Sequence, residues 1–159
     1  GAKFTRLYFK DCYIDGTTDF IFGPSTALFE NCMIHSKRNS YVTAASTPKE
    51  AKYGYIFKHC KLTAEPGVDK VYLGRPWRPY AYTLFIECEL GKHIVPAGWH
   101  NWGKQSNEET ARYMEYKNTG EGANVSERVA WSKQLTKKEA EAVTVDAIFG
   151  TQSNWNPID

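Results

Sequence analysis

Two short segments combine residue types that can do chemistry. In Gly16-Thr17-Thr18-Asp19-Phe20-Ile21-Phe22-Gly23 a carboxylate stands at the head of an intensely apolar strand. In Leu73-Gly74-Arg75-Pro76-Trp77-Arg78-Pro79 two arginines flank a tryptophan set between prolines. Taken singly, the aspartate reads as a turn residue or strand-end cap, and the second segment as a rigid loop with a stacked tryptophan. Brought together they make a charged pair beside an aromatic face. A guanidinium next to a carboxylate favours its ionised form, and the arginine fork aims it through two charge-assisted hydrogen bonds. Asp19 and Arg75 are 56 residues apart, twice a 28-residue spacing that recurs in the chain, which predicts that they meet on neighbouring rungs of one face.

That spacing belongs to a repeat. Four times an aliphatic or Tyr residue precedes Phe, Cys follows three residues after the Phe, and Ile or Leu stands two further on. The copies are Tyr8-Phe9 to Cys12 and Ile14, Leu28-Phe29 to Cys32 and Ile34, Ile56-Phe57 to Cys60 and Leu62, and Leu84-Phe85 to Cys88 and Leu90. The intervals are 20, 28 and 28 residues, and all four cysteines occupy the one slot. A chain that returns to one slot at such intervals stacks the coils of a solenoid. The copies are rich in β-branched and aromatic residues and are bounded by Asp15-Gly16, Gly23-Pro24, Pro66-Gly67 and Gly91, so they read as short strands. The intervals are too short for a helical crossover and return. The prediction is an all-β chain, a right-handed parallel β-helix. Shorter strand candidates at 19–22, 40–44 and 70–73 supply a second sheet of each coil. Phe and Cys three apart cannot both face inward along a period-2 strand, so a bulge or bend is expected between them.

After about residue 92 the repeat stops. Residues 112–118 alternate like one more strand, and a loop follows at 120–123. Thr136 and Glu139 make a capping box that starts a short helix before Ala140, Ala142 and Val143. A second turn is expected from Val145 to Phe149, stopped by Gly150. The expectation is one domain over 1–159, with coils at about 4–92 and a tail at about 93–159 that covers the side or end of the coil.

Composition narrows the function classes. Hydrophobic residues make up 42% of the chain and aromatic residues 14%, ample for a core. Twenty basic against eighteen acidic residues leave a charge of +2 with no basic block, so nucleic acid is not an expected partner. Apolar runs such as Phe20-Ile21-Phe22 fall far short of the roughly 20 residues that cross a bilayer. The opening Gly1-Ala2-Lys3 does not read as a signal peptide, so neither membrane span nor leader is expected in this sequence. Four cysteines admit disulfides or zinc, but they lie far apart in identical apolar strands rather than on a CxxC knuckle. Buried thiols used as small hydrophobes are expected instead. His35, His59, His93 and His100 occupy unrelated contexts and read as structural or solvent-facing, and no acidic cluster suits calcium. No metal or cofactor is called for.

GTTDFIFG at 16–23, LGRPW at 73–77, GWHNW at 98–102, EYKNTGEGA at 115–123 and RVAW at 128–131 follow in the order seen in pectin methylesterases, and from near residue 5 to Pro157 the chain resembles that family. The resemblance implies a right-handed parallel β-helix, in agreement with the repeat, and a carboxylic ester hydrolase whose partner is pectin, a methylated homogalacturonan. It implies Asp19 as nucleophile, Arg75 as the residue that pairs with it and helps place substrate, Trp77 as a sugar-stacking aromatic and Phe22 as a wall of the same cleft. The family also uses a general acid/base Asp in a QDTL motif and glutamines for the oxyanion, all upstream of the nucleophile strand. QDTL does not occur in the 159 residues. The sequence therefore reads as the C-terminal part of a pectinesterase domain, its β-helix truncated at the N-terminal end. Such a chain is expected to be inactive alone and to self-associate through apolar residues Phe4, Leu7 and Phe9 of its first coil. The alternative is a non-catalytic β-helix that binds pectic polysaccharide. The substrate implies action outside the cytoplasm, secreted or periplasmic.

Overall fold

Each copy of the repeat folds as two strands joined by a single left-handed residue. The computed structural model describes residues 5–150, so Phe4 lies outside the described residues. The first coil runs through β1 (Arg6–Lys10), β2 (Tyr13–Gly16) and β3 (Ile21–Gly23), and the second through β4 (Thr26–Glu30), β5 (Met33–Ser36) and β6 (Tyr41–Ala45). The third comprises β7 (Tyr55–Lys58), β8 (Lys61–Ala64) and β9 (Tyr72–Gly74), and the fourth begins with β10 (Tyr82–Ile86) and β11 (Glu89–Leu90). There follow a helical turn α1 (Asn107–Thr110), then β12 (Arg112–Tyr116), β13 (Lys133–Gln134), α2 (Lys137–Glu141) and α3 (Val145–Phe149).

Strands pair in parallel with their counterparts one coil on, in three sheets of order β1-β4-β7-β10-β12-β13, β2-β5-β8-β11 and β3-β6-β9. This is the expected parallel β-helix, with three sheets per coil where the periodicity alone predicts two. The reason is the bend between Phe and Cys. Asp11, Asn31, His59 and Glu87, each just before a cysteine, have φ of 54, 52, 54 and 49°. One left-handed residue turns the chain sharply enough for Phe and Cys to face the same interior and makes the segment after it a separate sheet. Asn, Asp and His tolerate this region better than most residues, and they fill three of the four positions.

The register puts Phe9, Phe29, Phe57 and Phe85 directly over one another, with centroids 4.9, 4.5 and 4.4 Å apart and rings within 9° of parallel. All four cysteines are free, three buried and Cys12 half-buried. The thiols of Cys32, Cys60 and Cys88 donate to the carbonyls of Phe9, Phe29 and Phe57 one coil before, at 3.5, 3.3 and 3.4 Å. The opposite face of the first sheet is apolar as well. Leu28, Ile56 and Leu84 lie fully buried beneath Val143, Ile148 and Phe149, and Arg6 Nη1 donates to the Phe149 carbonyl at 2.9 Å. The tail thus covers the side of the coil. Both α2 and its capping box on Thr136 and Glu139 form as expected, as does α3, ended by Gly150 at φ 74°.

The sheet continues past the last cysteine. β12 pairs with β10, placing Glu115 opposite Phe85, and single bridges Gly74–Trp99 and Glu89–Thr119 extend the other two sheets. Glu115 stands in the Phe slot and Asn118 in the Cys slot, where its Oδ1 accepts the Cys88 N–H at 2.8 Å. These replacements hide the rung from the repeat pattern. The aromatic ladder is carried on instead by Trp99 and Tyr113, stacked at 4.2 Å.

Candidate active site

Asp19 enters β3 in a left-handed conformation, φ 48°, and its N–H donates to the Tyr41 carbonyl at 2.9 Å. Ile21 is opposite Thr43, and Thr43 opposite Gly74, so the head of β3 lies level with Tyr41 and Tyr72, three residues short of the level of Arg75 and two coils from it rather than on a neighbouring rung. The 28-residue count is therefore not what joins the pair. Arg75, just past β9, reaches back diagonally over β6, across two strand spacings of about 4.8 Å each. Its Nε donates to Asp19 Oδ1 at 3.0 Å and its Nη2 to Oδ2 at 2.6 Å. Side-chain exposures of 22% and 14% leave the pair open to a ligand while shielding it from bulk water.

The strand geometry needs its glycines. A Cβ on Gly74 would lie 2.3 Å from Thr43 Oγ1 and 3.3 Å from the Trp99 ring, and one on Gly16 would lie 2.3 Å from Phe20 Cβ. The glycines of LGRPW and of GTTDFIFG therefore permit the close packing that aims Arg75 and Asp19.

The guanidinium of Arg75 lies between two aromatic faces, 3.9 Å from the Tyr41 ring centre and 3.9 Å from that of Trp102. Trp77 meets Trp102 at 5.3 Å with rings 66° apart. Burial works against the Arg75 charge, but the hydrogen bonds and charge of Asp19 outweigh it, and the arginine pKa is raised. The fork stays protonated at any working pH. His100 stands behind this sandwich, edge-on to Tyr41 at 5.5 Å and Tyr72 at 5.3 Å.

Of the residues singled out from sequence, Asp19 and Arg75 are in direct contact, and Trp77, 54% exposed, joins them through Trp102. Phe22 projects outward at 72% exposure, opposite Ala44 on the same sheet, and is also among the residues that line an apolar cleft of about 280 Å³ at the first coil, with Leu7, Phe9, Ile14 and Phe20. A cleft of about 620 Å³ lies along β8 and β11 and includes neither Asp19 nor Arg75. Tyr41, His100 and Trp102 are the site residues that motif reading missed as individuals. GWHNW flags the last two, whereas a tyrosine within the apolar strand 41–45 carries no signal of its own.

The family model described as Pectinesterase matches residues 2–152. Pectinesterase 31 of Arabidopsis thaliana is 44% identical over 136 residues, which cover 85% of this chain and 43% of that protein. A solved pectin methylesterase from carrot superposes with a TM-score of 0.86 at 33% identity, covering 94% of this chain and 52% of that one. A solved pectin methylesterase in complex with a hexasaccharide superposes with a TM-score of 0.79 at 31% identity, covering 96% and 52%. The chain spans about half the length of these relatives or less.

Proposed function

Since the chain belongs to the pectinesterase family, we propose that it carries the nucleophile of a carboxylic ester hydrolase acting on galacturonosyl methyl esters of pectin. The observation that carries this reading is the Asp19 carboxylate, held through both oxygens by Arg75 beside exposed Trp77. An Asp19 oxygen attacks the C6 ester carbonyl, the C–OCH₃ bond breaks, and the methoxide leaves as methanol once protonated. Water then adds to the resulting anhydride, which frees Asp19 and leaves a carboxylate; of the two protons released, one restores the acid that protonated methoxide and the other goes to solvent. Each turnover adds negative charge to the polymer, which the Arg75 guanidinium beside Asp19 tolerates. The relative solved with a hexasaccharide supports methylated homogalacturonan as the partner.

Protonation of methoxide and donors for the oxyanion come, by family resemblance, from the QDTL aspartate and the glutamines, and the 159 residues hold no QDTL. One oxyanion donor is worth about 2.7–4 kcal/mol in other enzymes. A polypeptide of these residues alone is therefore expected to release little or no methanol from highly methylated pectin. Joined to the amino-terminal coils of the carrot relative, it is expected to release methanol, and Asp19→Ala in that chimera is expected to abolish the release. Turnover by the polypeptide alone near that of a complete family member, or a chimera indifferent to Asp19→Ala, would overturn the reading.

A second reading, pectic polysaccharide binding without cleavage, is favoured by exposed Trp77 and Phe22. Binding by both the polypeptide and the chimera, without methanol from either, would select it. The polypeptide alone is also expected to self-associate, because β1, β2 and β3 end their sheets beside the apolar first-coil cleft. A concentration-independent monomer on size-exclusion chromatography would refute this. The substrate places the activity outside the cytoplasm, secreted or periplasmic, and among the described residues no helix is long and apolar enough to cross a membrane.

A further inference from the structure

Arg75 is held between two rings, and one of them stands on an unfavourable backbone. Trp102 has φ 62°, a conformation that costs a bulky residue about 1–2 kcal/mol and persists only where the surroundings over-determine it. Here three elements hold it. The Trp102 N–H donates to His100 Nδ1 at 3.0 Å, and the next amide, Gly103 N–H, donates to Asn101 Oδ1 at 2.8 Å. Asn101 is itself tied to the helical turn α1, its Nδ2 donating to Glu108 Oε2 at 2.9 Å and its carbonyl accepting from Asn107 Nδ2 at 3.0 Å. The His100 N–H donates to the Gly74 carbonyl at 3.1 Å, beside Arg75 in sequence. The His100 backbone is thus tied to β9, and its ring is turned edge-on to two tyrosines while it receives the Trp102 amide. An imidazole nitrogen accepts a hydrogen bond only while it carries no proton.

We propose that His100 is a positioning residue: as a neutral ring it accepts the Trp102 N–H and so holds the indole on the Arg75 guanidinium opposite Tyr41, and a proton on His100 releases that hold. The role assigned to Arg75 rests on the esterase reading above, whereas the contact itself does not. The titratable and charged groups facing His100 are Tyr41 from β6, Tyr72 from β9, and Arg75, whose charge is shared with Asp19. Burial first, and then the Arg75 charge, hold the imidazole pKa below its ordinary 6.5. The ring is neutral at pH 7, and the hold is complete above about pH 6.5 and lost as pH falls through the lowered value. The placement of Arg75, and with it the aim of Asp19, becomes pH-sensitive through a residue that does not touch substrate.

Arginine side-chain ¹⁵N–¹H spectra of the 159-residue protein, taken from pH 8 down to 5, test this directly. At pH 8 the Arg75 Nε–H is expected to be shifted upfield by the two rings and to exchange slowly. As His100 takes up its proton, the signal is expected to move toward the position of a free arginine. In His100→Asn, whose Oδ1 accepts the same amide and does not titrate, the shifted signal persists to pH 5. In His100→Ala it is absent throughout. A wild-type Arg75 signal indifferent to pH, or one retained in His100→Ala, overturns the proposal. The backbone amide spectrum shows whether His100→Ala remains folded, and where it does not, wild type against His100→Asn decides. The spectra need no turnover, so an intact titration with no methanol from the chimera counts against the esterase reading alone.

Discussion

Both oxygens of the Asp19 carboxylate are taken by one guanidinium, and what the pair can do depends on how that fork is held. Lysine offers a single point charge and no flat face to lie between Tyr41 and Trp102. Arg75→Lys in the carrot chimera is expected to lower methanol release by about 10²-fold, the scale of a small misplacement of a reacting group. Retention of full activity would mean that charge without the fork is enough. Trp77 acts on binding instead. Trp77→Ala is expected to weaken a methylated hexagalacturonan by about tenfold, close to 1.4 kcal/mol, in a calorimetric titration that Asp19→Asn leaves unchanged. At this scale the charged pair was readable from sequence, because Asp and Arg stood in short, unusual motifs. The sandwich was not, since cation–π contacts depend on ring placement that no spacing along the chain encodes.

The elements turn on a repeated left-handed residue and on the ends of short helices. His59→Val is expected to cost about 1–2 kcal/mol in urea unfolding, because a β-branched side chain is penalised at φ 54°, with His59→Gly close to neutral as the control. An equal effect of the two would show that the bend is not strained. On the tail, the Lys133 ammonium first, and then the Thr136 backbone N–H, pull the Glu139 carboxyl from 4.5 down to about 2. A depressed carboxyl pKa contributes stability above its unfolded value that is lost as pH falls through the folded one. The α2 cap is therefore expected to weaken between about pH 4.5 and 2, and Lys133→Met, which removes the first of these partners, is expected to flatten that dependence in acid unfolding curves, whereas Thr136→Ala costs about 1 kcal/mol and leaves most of it in place. The capping box was readable from sequence because its partners are three residues apart. The number of sheets was not, because a left-handed φ leaves no unique residue signature where Asp, Asn, His and Glu all fill the slot.

Over the whole molecule, the last rung carries a buried charged pair in the slot that phenylalanine fills in the coils before it. Glu115 and Arg128, 1% and 3% exposed, meet through two hydrogen bonds at 2.9 and 3.1 Å, and Arg128 also donates to the Gly122 carbonyl at 2.7 Å. Glu115→Gln leaves a buried guanidinium without its counter-charge and is expected to cost about 3–5 kcal/mol, measured by urea denaturation. Replacing both partners with apolar residues is expected to cost less, and an equal or larger loss would show that the pair stabilises beyond mutual neutralisation. The amino-acid sequence by itself determined the coil, because the parallel stacking of like residues writes its own period along the chain, and it determined the family through motifs confined to a few residues each. Only the tertiary structure decided which rungs meet at the site. Strand register sets the head of β3 level with Tyr72, and a long arginine reaches back over β6 to meet Asp19, a contact set by side-chain reach and backbone bends rather than by counting residues.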